Sequence, residues 1–322
     1  GKIDEVSLFD YKLTSSNVSS IFGTGVPNDI SSLNPLGWYR MGENANYKSP
    51  QWLMPENSNK DKFSNYSFEF DGVDDRLVGA DANLSSAFTQ ASWSTWFKIS
   101  QTPSGTVRFY GRRGQNDGHG EQWGIESSLK LSGKIGTGSG QSASYVGDTV
   151  LSTGVWYNVV HTFDGSGSSN DDKLKVYLNG SLETVTFTGT VQANLLQSMG
   201  AGRKYAIGSK ADTSNMAFNG FIDEVAVWYG TTLTSANAGT IYNSGEPADL
   251  TPLNPNFMYI RMGENATFST NWTVPDTINS PTNDFTSSNM SIEDRVGNAP
   301  NSDNNSVSFN MVEADRETDV PT

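Results

Sequence analysis

The sequence predicts an all-β protein: an antiparallel two-sheet jelly-roll sandwich with short flanking helices and an irregular tail. Short segments that alternate apolar and polar residues follow one another along most of the chain, and helical periodicity is almost absent. Turn dipeptides separate these segments, among them Asp71-Gly72, Asp164-Gly165 and Asn179-Gly180. Two stretches with nearly the same sequence, Gly1 to Ala45 and Gly220 to Ala266, show that a unit of domain size is repeated.

The repeat divides the chain into three parts. We predict that residues 1–32 are the closing strand and helix of a preceding repeat and that residues 33–252 form one complete sandwich. Residues 253–322 are predicted to be the diverged start of a further repeat or an extended tail. This last part is too polar to bury a core of its own, so we expect it to lie against something, pair with another chain or stay mobile.

Each copy of the repeat begins with a strand that is out of phase. Ile3 and Val6 cannot share one face of a regular strand, and one extra residue at Asp4-Glu5 restores the alternation, which predicts a β-bulge. The second copy carries the same pattern at Ile222, Asp223, Glu224 and Val225.

A short helix is predicted after each of these strands. Thr14 and Thr234 are the expected N-caps, and a glycine (Gly23 or Gly25, and Gly245) is expected to end each helix. Between the copies, the alternation predicts strands at Trp38–Met41, Tyr66–Phe70, Trp93–Ile99, Val107–Tyr110, Leu129–Ile135, Trp156–Phe163, Leu174–Leu178 and Tyr205–Gly208.

Composition excludes several classes of partner. Net charge is −14 with a pI near 4.5, which argues against nucleic acid and against an anionic membrane surface. No apolar run approaches the roughly 18 residues that a membrane span requires. The sequence contains no cysteine, so disulfides and thiolate metal sites are excluded and the core alone must hold the fold.

A series of motifs, in order, resembles the concanavalin A-like lectin/glucanase superfamily in its laminin-G-like jelly-roll branch. The motifs are WYRMGE (Trp38 to Glu43), SFEFDGVDDRL (Ser67 to Leu77), SWSTWFK (Ser92 to Lys98), GVWYNVVHTFDG (Gly154 to Gly165), LKVYLNG (Leu174 to Gly180), YAIGS (Tyr205 to Ser209) and GFIDEVAVWYGTTLT (Gly220 to Thr234). The resemblance implies a sandwich of about 12–14 antiparallel strands, but no single function.

The resemblance also implies a Ca²⁺ ion. Carried onto this chain, its ligands are Asp71, Asp74, Asp75 and Asp223, and hard carboxylate oxygens suit this ion. Two simpler roles remain open: Asp71 could merely cap its turn, and Asp223 could merely occupy the bulge.

Catalysis is not expected. Glycosidases of the superfamily carry two carboxylates in a Glu-x-Asp-x-x-Glu arrangement on one strand. The nearest match here, Glu69-Phe-Asp71-Gly-Val-Asp74, ends in Asp, and Gly72 interrupts the strand before that position. We therefore predict a protein that is not an enzyme.

A ligand surface is a further candidate. Its residues come from the middle of the predicted sandwich and are Arg108, Tyr110, Arg112, Arg113, Trp123 and Tyr145. Sugars bind to exposed aromatic faces with planar hydrogen-bond donors nearby. In the alternative, which we favour, the aromatic rings fill the sandwich and the arginines meet carboxylates.

The C-terminal pattern suggests a setting. Asn289-Met290, Asp294-Arg295 and Pro300 recur 21 residues later, and this pattern resembles segments of marine bacteriophage virion proteins. We therefore predict a structural or attachment protein of a virion (fibre, appendage or capsid decoration), located on the virion surface or extracellular. Its expected partners are virion or repeat subunits in a homo-oligomer, and host surface glycans. The alternative is a secreted microbial carbohydrate-binding or adhesion module.

Overall fold

The structure is a computed structural model that describes residues 6–23, 28–39, 46–48, 51–53, 64, 66–81, 84, 86–113, 119–138, 141–195, 204–210 and 216–296. The chain divides into two compact units, one formed by Gly1–Lys60 with Asn305–Thr322 and the other by Asp61–Asn304. Most of the described secondary structure is β, in sheets of antiparallel strands, as the sequence predicts.

In the first unit, all described elements are short. They are β1 (Val6–Leu8), α1 (Ser15–Phe22), a 3-10 helix (Ser31–Leu33), β2 (Gly37–Tyr39), β3 (Asn46–Lys48) and β4 (Gln51–Leu53). β1 pairs with β2, and β3 pairs with β4. The sequence predicts that the Trp38 strand opens the following sandwich. Instead it pairs with β1, the strand that precedes it in the chain, as consecutive strands of a sheet commonly do.

The second unit contains the sandwich. Its strands are β5 (Ser67–Asp71), β6 (Arg76–Asp81), β7 (Gln90–Ile99), β8 (Val107–Arg113), β9 (His119–Ile125), β10 (Lys130–Gly138), β11 (Gln141–Val150), β12 (Trp156–Asp164), β13 (Leu174–Leu178), β14 (Ser181–Glu183), β15 (Val185–Gly189), β16 (Lys204–Ile207), β17 (Asn219–Tyr229), β18 (Met258–Ile260), β19 (Thr267–Phe268), β20 (Trp272–Val274), β21 (Phe285–Ser288) and β22 (Arg295–Val296). Its helices are α2 (Asn170–Lys173), α3 (Ser235–Tyr242) and 3-10 turns at Asn243–Gly245, Thr251–Leu253 and Ile292–Asp294.

These strands form two sheets. The larger has ten strands in the order β15-β11-β10-β9-β8-β16-β6-β21-β20-β19. The smaller has eight, in the order β14-β13-β12-β7-β17-β5-β22, with β18 also paired to β17. The repeated Ile-Asp-Glu-Val segment thus lies in the middle of the smaller sheet, between β7 and β5.

Aromatic side chains from both sheets fill the space between them. Trp93 of the smaller sheet meets Trp123 of the larger edge to face, with ring centroids 5.2 Å apart. Phe97 stacks on Phe109 across the same interface at 4.8 Å. All four side chains are at least 99 % buried. Such rings bury large apolar areas, which is how a chain without disulfides can hold a sandwich of this size.

The bulge in β17 is confirmed. The pairing of β17 with β7 shifts between Asp223 and Ala226, and Glu224 has a left-handed φ of 46°. Ile222 and Val225 both face the core as a result. The equivalent Asp4-Glu5 lies outside the described residues.

Both helix caps are also confirmed. Thr14 and Thr234 each accept a hydrogen bond from the backbone N–H three residues on, at Asn17 and Asn237. Helix α1 ends at Gly23 in the left-handed conformation, whereas α3 ends at Asn243 and not at the expected glycine.

The described part of the chain after residue 252, residues 253–296, belongs to the sandwich. β18 pairs with β17, β21 pairs with β6, and β22 pairs with β5, so both sheets extend beyond the predicted limits of 33–252. Although the segment is mostly polar, the side chains of Phe285 and Trp272 are buried and anchor it to the sandwich. The descent of residues 253–322 from a further repeat stays a prediction.

Candidate functional site

The aspartates of the FDGVDD motif form a tight turn between β5 and β6. Carboxylate oxygens of Asp71, Asp74 and Asp75 lie within 4.8 Å of one another. Asp71 Oδ1 accepts hydrogen bonds from the backbone N–H of Val73 at 2.7 Å and of Asp74 at 3.2 Å. Asp75 Oδ2 accepts from the backbone N–H of Asp71 at 3.0 Å. Asp71 therefore caps the turn with its own carboxylate, as the simpler of its two expected roles requires.

Burial, together with the charges of Asp71, Asp294 and Asp74, raises the pKa of Asp75 to about 7, although the hydrogen bond from the Asp71 backbone N–H opposes the shift. The donor set fits Ca²⁺, because three carboxylates converge and this ion takes oxygen ligands. Two of the carboxylate oxygens would share their lone pairs between the ion and backbone N–H groups. The calcium site at this turn stays a prediction.

The fourth expected calcium ligand, Asp223, lies elsewhere. In the pairing of β17 with β5, Asn219 is opposite Asp71 and Ile222 is opposite Phe68. Asp223 is thus about four residues, or roughly 13 Å, along the strand from the turn. Grouping it with the other three aspartates is wrong, because the family pattern does not show which end of the strand the acidic pair occupies.

Asp223 belongs to a second, buried group of carboxylates with Glu224 and Glu264. The Ser64 hydroxyl lies 2.8 Å from Asp223 Oδ2 and 3.1 Å from Glu264 Oε1. Since a hydroxyl carries one proton, one carboxyl fits best as the protonated partner. Arg261 Nε donates to Glu224 Oε1 at 3.3 Å.

The electrostatics of this group agree with a shared proton. Burial, with the neighbouring carboxylates, raises the pKa of Asp223 well above its usual range. Burial likewise raises the pKa of Glu224 to about 8, although Arg261 opposes the shift. The group ties the bulge of β17 to the residue after β18 and to Ser64 before β5, which is a structural role.

The expected arginine and aromatic ligand surface is not a surface. Arg108, Tyr110, Arg112, Trp123 and Tyr145 are all at least 92 % buried. Tyr110, Arg112, Trp123 and Tyr145 point between the sheets, as the alternative interpretation holds. Arg108, separated from Tyr110 by a register shift, donates instead to the Ser132 hydroxyl of the same sheet at 3.0 Å. The Arg113 side chain lies outside the described residues.

These residues instead form polar links between the sheets. Arg112 and Glu121 make a two-point ion pair at 2.6 and 2.7 Å with no exposed side-chain surface. Tyr229 of the opposite sheet donates to Glu121 Oε1 at 2.9 Å. The Tyr145 hydroxyl and His161 Nε2 are hydrogen-bonded at 2.5 Å, again between sheets, and His161 stacks on Trp123 with ring centroids 4.1 Å apart.

A different set of residues forms an open site on the outer face of the smaller sheet. Adjacent strands place Trp156 opposite Lys98, Lys98 opposite Phe221, and Phe221 opposite Glu69. We call Trp156, Lys98, Phe221 and Glu69 the outer row. Its two rings and Lys98 are half-buried, and Glu69 is exposed.

Within the outer row, charge and aromatic surface alternate. Lys98 Nζ lies 4.1 Å from the centroid of Phe221 and 5.3 Å from that of Trp156, distances typical of cation–π contact. Partial burial lowers the pKa of Lys98, and Glu69 opposes the shift. Partial burial raises the pKa of Glu69, as does the charge of Asp294. A ligand would meet apolar ring edges, an ammonium donor and a carboxylate acceptor in one line.

Helix α3 covers another part of the outer face. Two residues further along the same strands, Trp96 stacks on Tyr242 of α3 at 5.8 Å. Beyond it, Val160, Tyr177 and Trp228 pack against Ala238 and Ile241 of the helix. The outer row lies in a part of this face that α3 does not cover, so its rings and Lys98 stay partly accessible.

Sequence reasoning missed the outer row, although a signal exists. Trp93, Phe97 and Ile99 of β7 face the core, so the alternation that identifies them also puts Lys98 on the other face. Which residues of β12 and β17 lie beside Lys98 depends on register, and the sequence does not show it.

Glu69 and the turn do not form a glycosidase pair. The strand ends at Asp71, and Gly72 turns the chain with φ of 79°. The Asp71, Asp74 and Asp75 carboxylates converge on one another, whereas Glu69 interacts with Asp294 and Lys98. The absence of enzyme activity itself stays a prediction.

The fold and its open outer face define a lectin-like sandwich. The family model described as the concanavalin A-like lectin/glucanases superfamily, of laminin-G type, matches residues 71–238. The chain belongs to this superfamily. Comparison with curated protein sequences found no match.

Solved structures with the same fold include a Bacteroides ovatus protein assigned to carbohydrate binding, with 14 % identity and a TM-score of 0.50. That match covers 71 % of this chain and 59 % of the Bacteroides protein, so the chain spans less than two thirds of its length. The sialidase carbohydrate-binding module CBM40 of Ruminococcus gnavus, bound to sialyllactose, has 13 % identity and a TM-score of 0.41 over 55 % of this chain and 96 % of that one. A heptameric pentraxin of Limulus polyphemus has 16 % identity and a TM-score of 0.40 over 55 % and 82 %.

Among the helices that the structure describes, none has the length and apolar content needed to cross a bilayer.

Proposed function

We propose that this protein is a non-enzymatic attachment module that binds glycans through the outer row. The observation that supports the proposal is the juxtaposition of two half-buried aromatic rings with Lys98 and Glu69 on an uncovered sheet face. Sugar rings present apolar C–H groups on one face and hydroxyls around the edge. Aromatic surface with a few fixed donors and acceptors matches that pattern.

The setting proposed for the module is the surface of a virion, outside the cell, as part of a homo-oligomeric fibre, appendage or capsid decoration. Support comes from the sequence alone, in the Asn-Met, Asp-Arg, Pro pattern near the C-terminus. A secreted microbial carbohydrate-binding or adhesion module is the second candidate. Co-sedimentation with purified particles separates the two: a protein that never accompanies virions is not a virion component.

Glycan binding is tested by a glycan array with and without Ca²⁺, followed by calorimetry on any glycan retained. Trp156→Ala and Phe221→Ala each remove one half-buried ring and are expected to weaken binding about tenfold or more, equivalent to about 1.4 kcal/mol. Glu69→Gln keeps the shape but removes the negative charge, and should weaken binding less.

Leu182→Ala is the matched control, because Leu182 is 64 % exposed on the edge strand β14 of the same sheet, away from the outer row. It should bind like the unmodified protein. A blank array, or equal affinity of Trp156→Ala and Leu182→Ala for a retained glycan, would remove the outer row as the binding site.

A further inference from the structure

The described residues of the first copy of the repeat fold as their equivalents in the second copy do. In the first copy, Val6 is opposite Tyr39 and Leu8 is opposite Gly37. In the second, Val225 is opposite Ile260 and Val227 is opposite Met258. We call residues 6–39 the first closing element and residues 225–260 the second closing element. The strand pairing of the two elements has the same register.

Their connecting segments also match. The N-cap Thr14 accepts a hydrogen bond from the backbone N–H of Asn17 at 3.2 Å, and the N-cap Thr234 accepts one from Asn237 at 3.2 Å. Each element then has a 3-10 turn whose first N–H donates to an aspartate at 2.9 Å, from Ser31 to Asp29 and from Thr251 to Asp249. Matching hydrogen bonds of this kind show that the first closing element already has the conformation that the second uses.

The two elements differ in burial. Val225 and Val227 of the second element are 1 % and 0 % exposed, whereas their equivalents Val6 and Leu8 are 42 % and 59 % exposed. Ala238 and Ile241 of α3 are buried, but no residue of α1 is. Val18, equivalent to Ala238, is 53 % exposed, and Phe22, equivalent to Tyr242, is 68 % exposed.

The second element shows what covers these surfaces. Its strand pairs on the free side with β7, with Ala226 opposite Ser94 and Val227 opposite Trp93. Its helix packs over Val160 and Tyr177 of β12 and β13. Among the described residues, β1 pairs with β2 alone, so its other edge corresponds to the edge that β7 occupies in the second copy.

We propose that the first closing element completes a second sandwich of the same superfamily, that of a preceding repeat whose last-strand position is open. The partner would offer a β7-like strand with a free backbone edge and inward aromatic side chains, and a β12-like strand beneath α1. Addition of β1 to the partner's sheet would give the backbone N–H and C=O groups on its second edge hydrogen-bond partners. The same contact would bury Val6, Leu8, Val18 and Phe22. A second copy of this chain fits less well, because its own β17 already fills that position.

The first experiment asks whether the first closing element can close a sandwich. Within the full chain, residues 225–260 are replaced by residues 6–39, which leaves Asp223, Glu224 and Arg261 in place. The chimera is expected to unfold cooperatively in urea. Adding Leu8→Asp to the chimera should abolish that transition, whereas Leu8→Asp in the native chain should leave the midpoint unchanged because Leu8 is exposed there. If Leu8→Asp changes urea unfolding equally little in the chimera and in the native chain, the proposal is overturned.

The second experiment asks whether the element takes up such a partner, and it remains informative if the chimera does not fold. The full chain is extended at its N-terminus by a duplicate of residues 61–219, which supplies β5 to β16 but lacks β17 and the strands that follow it. Amide exchange at residues 6–8 is expected to slow at least a hundredfold. A duplicate of residues 61–266, which brings its own closing element, should leave that exchange unchanged.

Two results would count against the preceding repeat as partner. Unchanged exchange at residues 6–8 with both extensions means that the element does not accept the open sandwich. A dimer of the native chain in sedimentation, dissociated by Leu8→Asp, means that a second copy of this chain occupies β1 instead.

Discussion

Arg112 and Glu121 illustrate how a charged pair is kept inside this sandwich. Both side chains are fully buried, and Tyr229 supplies a third hydrogen bond from the opposite sheet. We expect Arg112→Met to destabilise the protein by about 3–5 kcal/mol, because it leaves a carboxylate buried without its cation. Urea unfolding monitored by tryptophan fluorescence measures the loss.

The matched control is the double variant Arg112→Met/Glu121→Leu, which removes both charges. It should recover most of the stability lost in the single variant, since a hydrophobic pair of similar volume avoids the desolvation cost. A single variant as stable as the unmodified protein would contradict the importance of this pair.

His161 makes stability depend on pH. Burial lowers the pKa of His161 to about 3, against about 6.5 in an unfolded chain. Above pH 6.5 His161 is neutral in both the folded and the unfolded protein, so the free energy of unfolding is not reduced by its protonation. As the pH falls from 6.5 towards 3, His161 becomes protonated in the unfolded chain but stays neutral in the folded protein. The free energy of unfolding therefore falls by up to about 1.4 kcal/mol per pH unit.

His161→Gln keeps a side chain that can hydrogen-bond to Tyr145 but has no group that titrates in this range. In urea unfolding at a series of pH values, its free energy of unfolding should decrease less between pH 6.5 and 3. NMR of the imidazole protons provides an independent check: the His161 signals should not shift between pH 7 and about 4. Titration near 6.5 in the folded protein would rule out a buried neutral imidazole.

The sequence predicts which single side chains are buried, but not which other side chains they contact. Alternation along β8 puts Tyr110 and Arg112 on one face, and this much can be inferred from the sequence. The partner Glu121 follows from the register of β8 with β9, and the Tyr229 contact follows from the distance between sheets. Nothing local in the sequence specifies either.

Elements defined by local chemistry were the most predictable. The caps at Thr14 and Thr234 and the bulge at Asp223-Glu224 depend on interactions within a few residues, so the sequence reveals them. Strands β9, β11 and β15 were missed because their apolar residues alternate with many glycines, serines and threonines.

The turn from Asp71 to Asp75 is an element whose occupancy can be tested. If it holds Ca²⁺ in the folded state only, millimolar Ca²⁺ should raise the melting temperature of the protein, since ligand binding to the folded state stabilises it. Asp74→Asn, which removes one converging charge, should reduce or abolish the shift.

Asp164→Asn is the control, because Asp164 caps another turn through Ser166 and lies outside the acidic group. It should keep the full Ca²⁺ response. A response of equal size in Asp74→Asn, or none in the unmodified protein, would remove calcium from this turn.

At the scale of the whole sandwich, residues 258–296 complete both sheets. Phe285 of β21 fills the space above Gly79 of β6 so closely that a Cβ at Gly79 would lie 2.5 Å from its ring. Gly79→Ala should therefore displace Phe285 and cost about 1–3 kcal/mol. Thermal unfolding, with exchange at residues 285–288, measures both effects.

Gly105→Ala is the matched control, because a Cβ there would meet nothing within 4 Å. It should melt like the unmodified protein. Equal stability of the two variants would show that the C-terminal strands do not pack against β6 in solution. The sequence could not reveal this packing, because the five strands of residues 258–296 are only two to four residues long, and so short a pattern cannot be distinguished from a loop.

The extra residue in β17 separates two tasks along one strand. Upstream of the bulge, Phe221 faces outward to the outer row; downstream, Ala226 and Trp228 face outward beneath α3. Because the phase changes between them, each half of the strand obeys its own alternation of side chains. If Phe221 contacts glycans as proposed, substitutions there can change which glycan is bound without altering the surface on which α3 packs, so specificity can diverge while the scaffold stays constant.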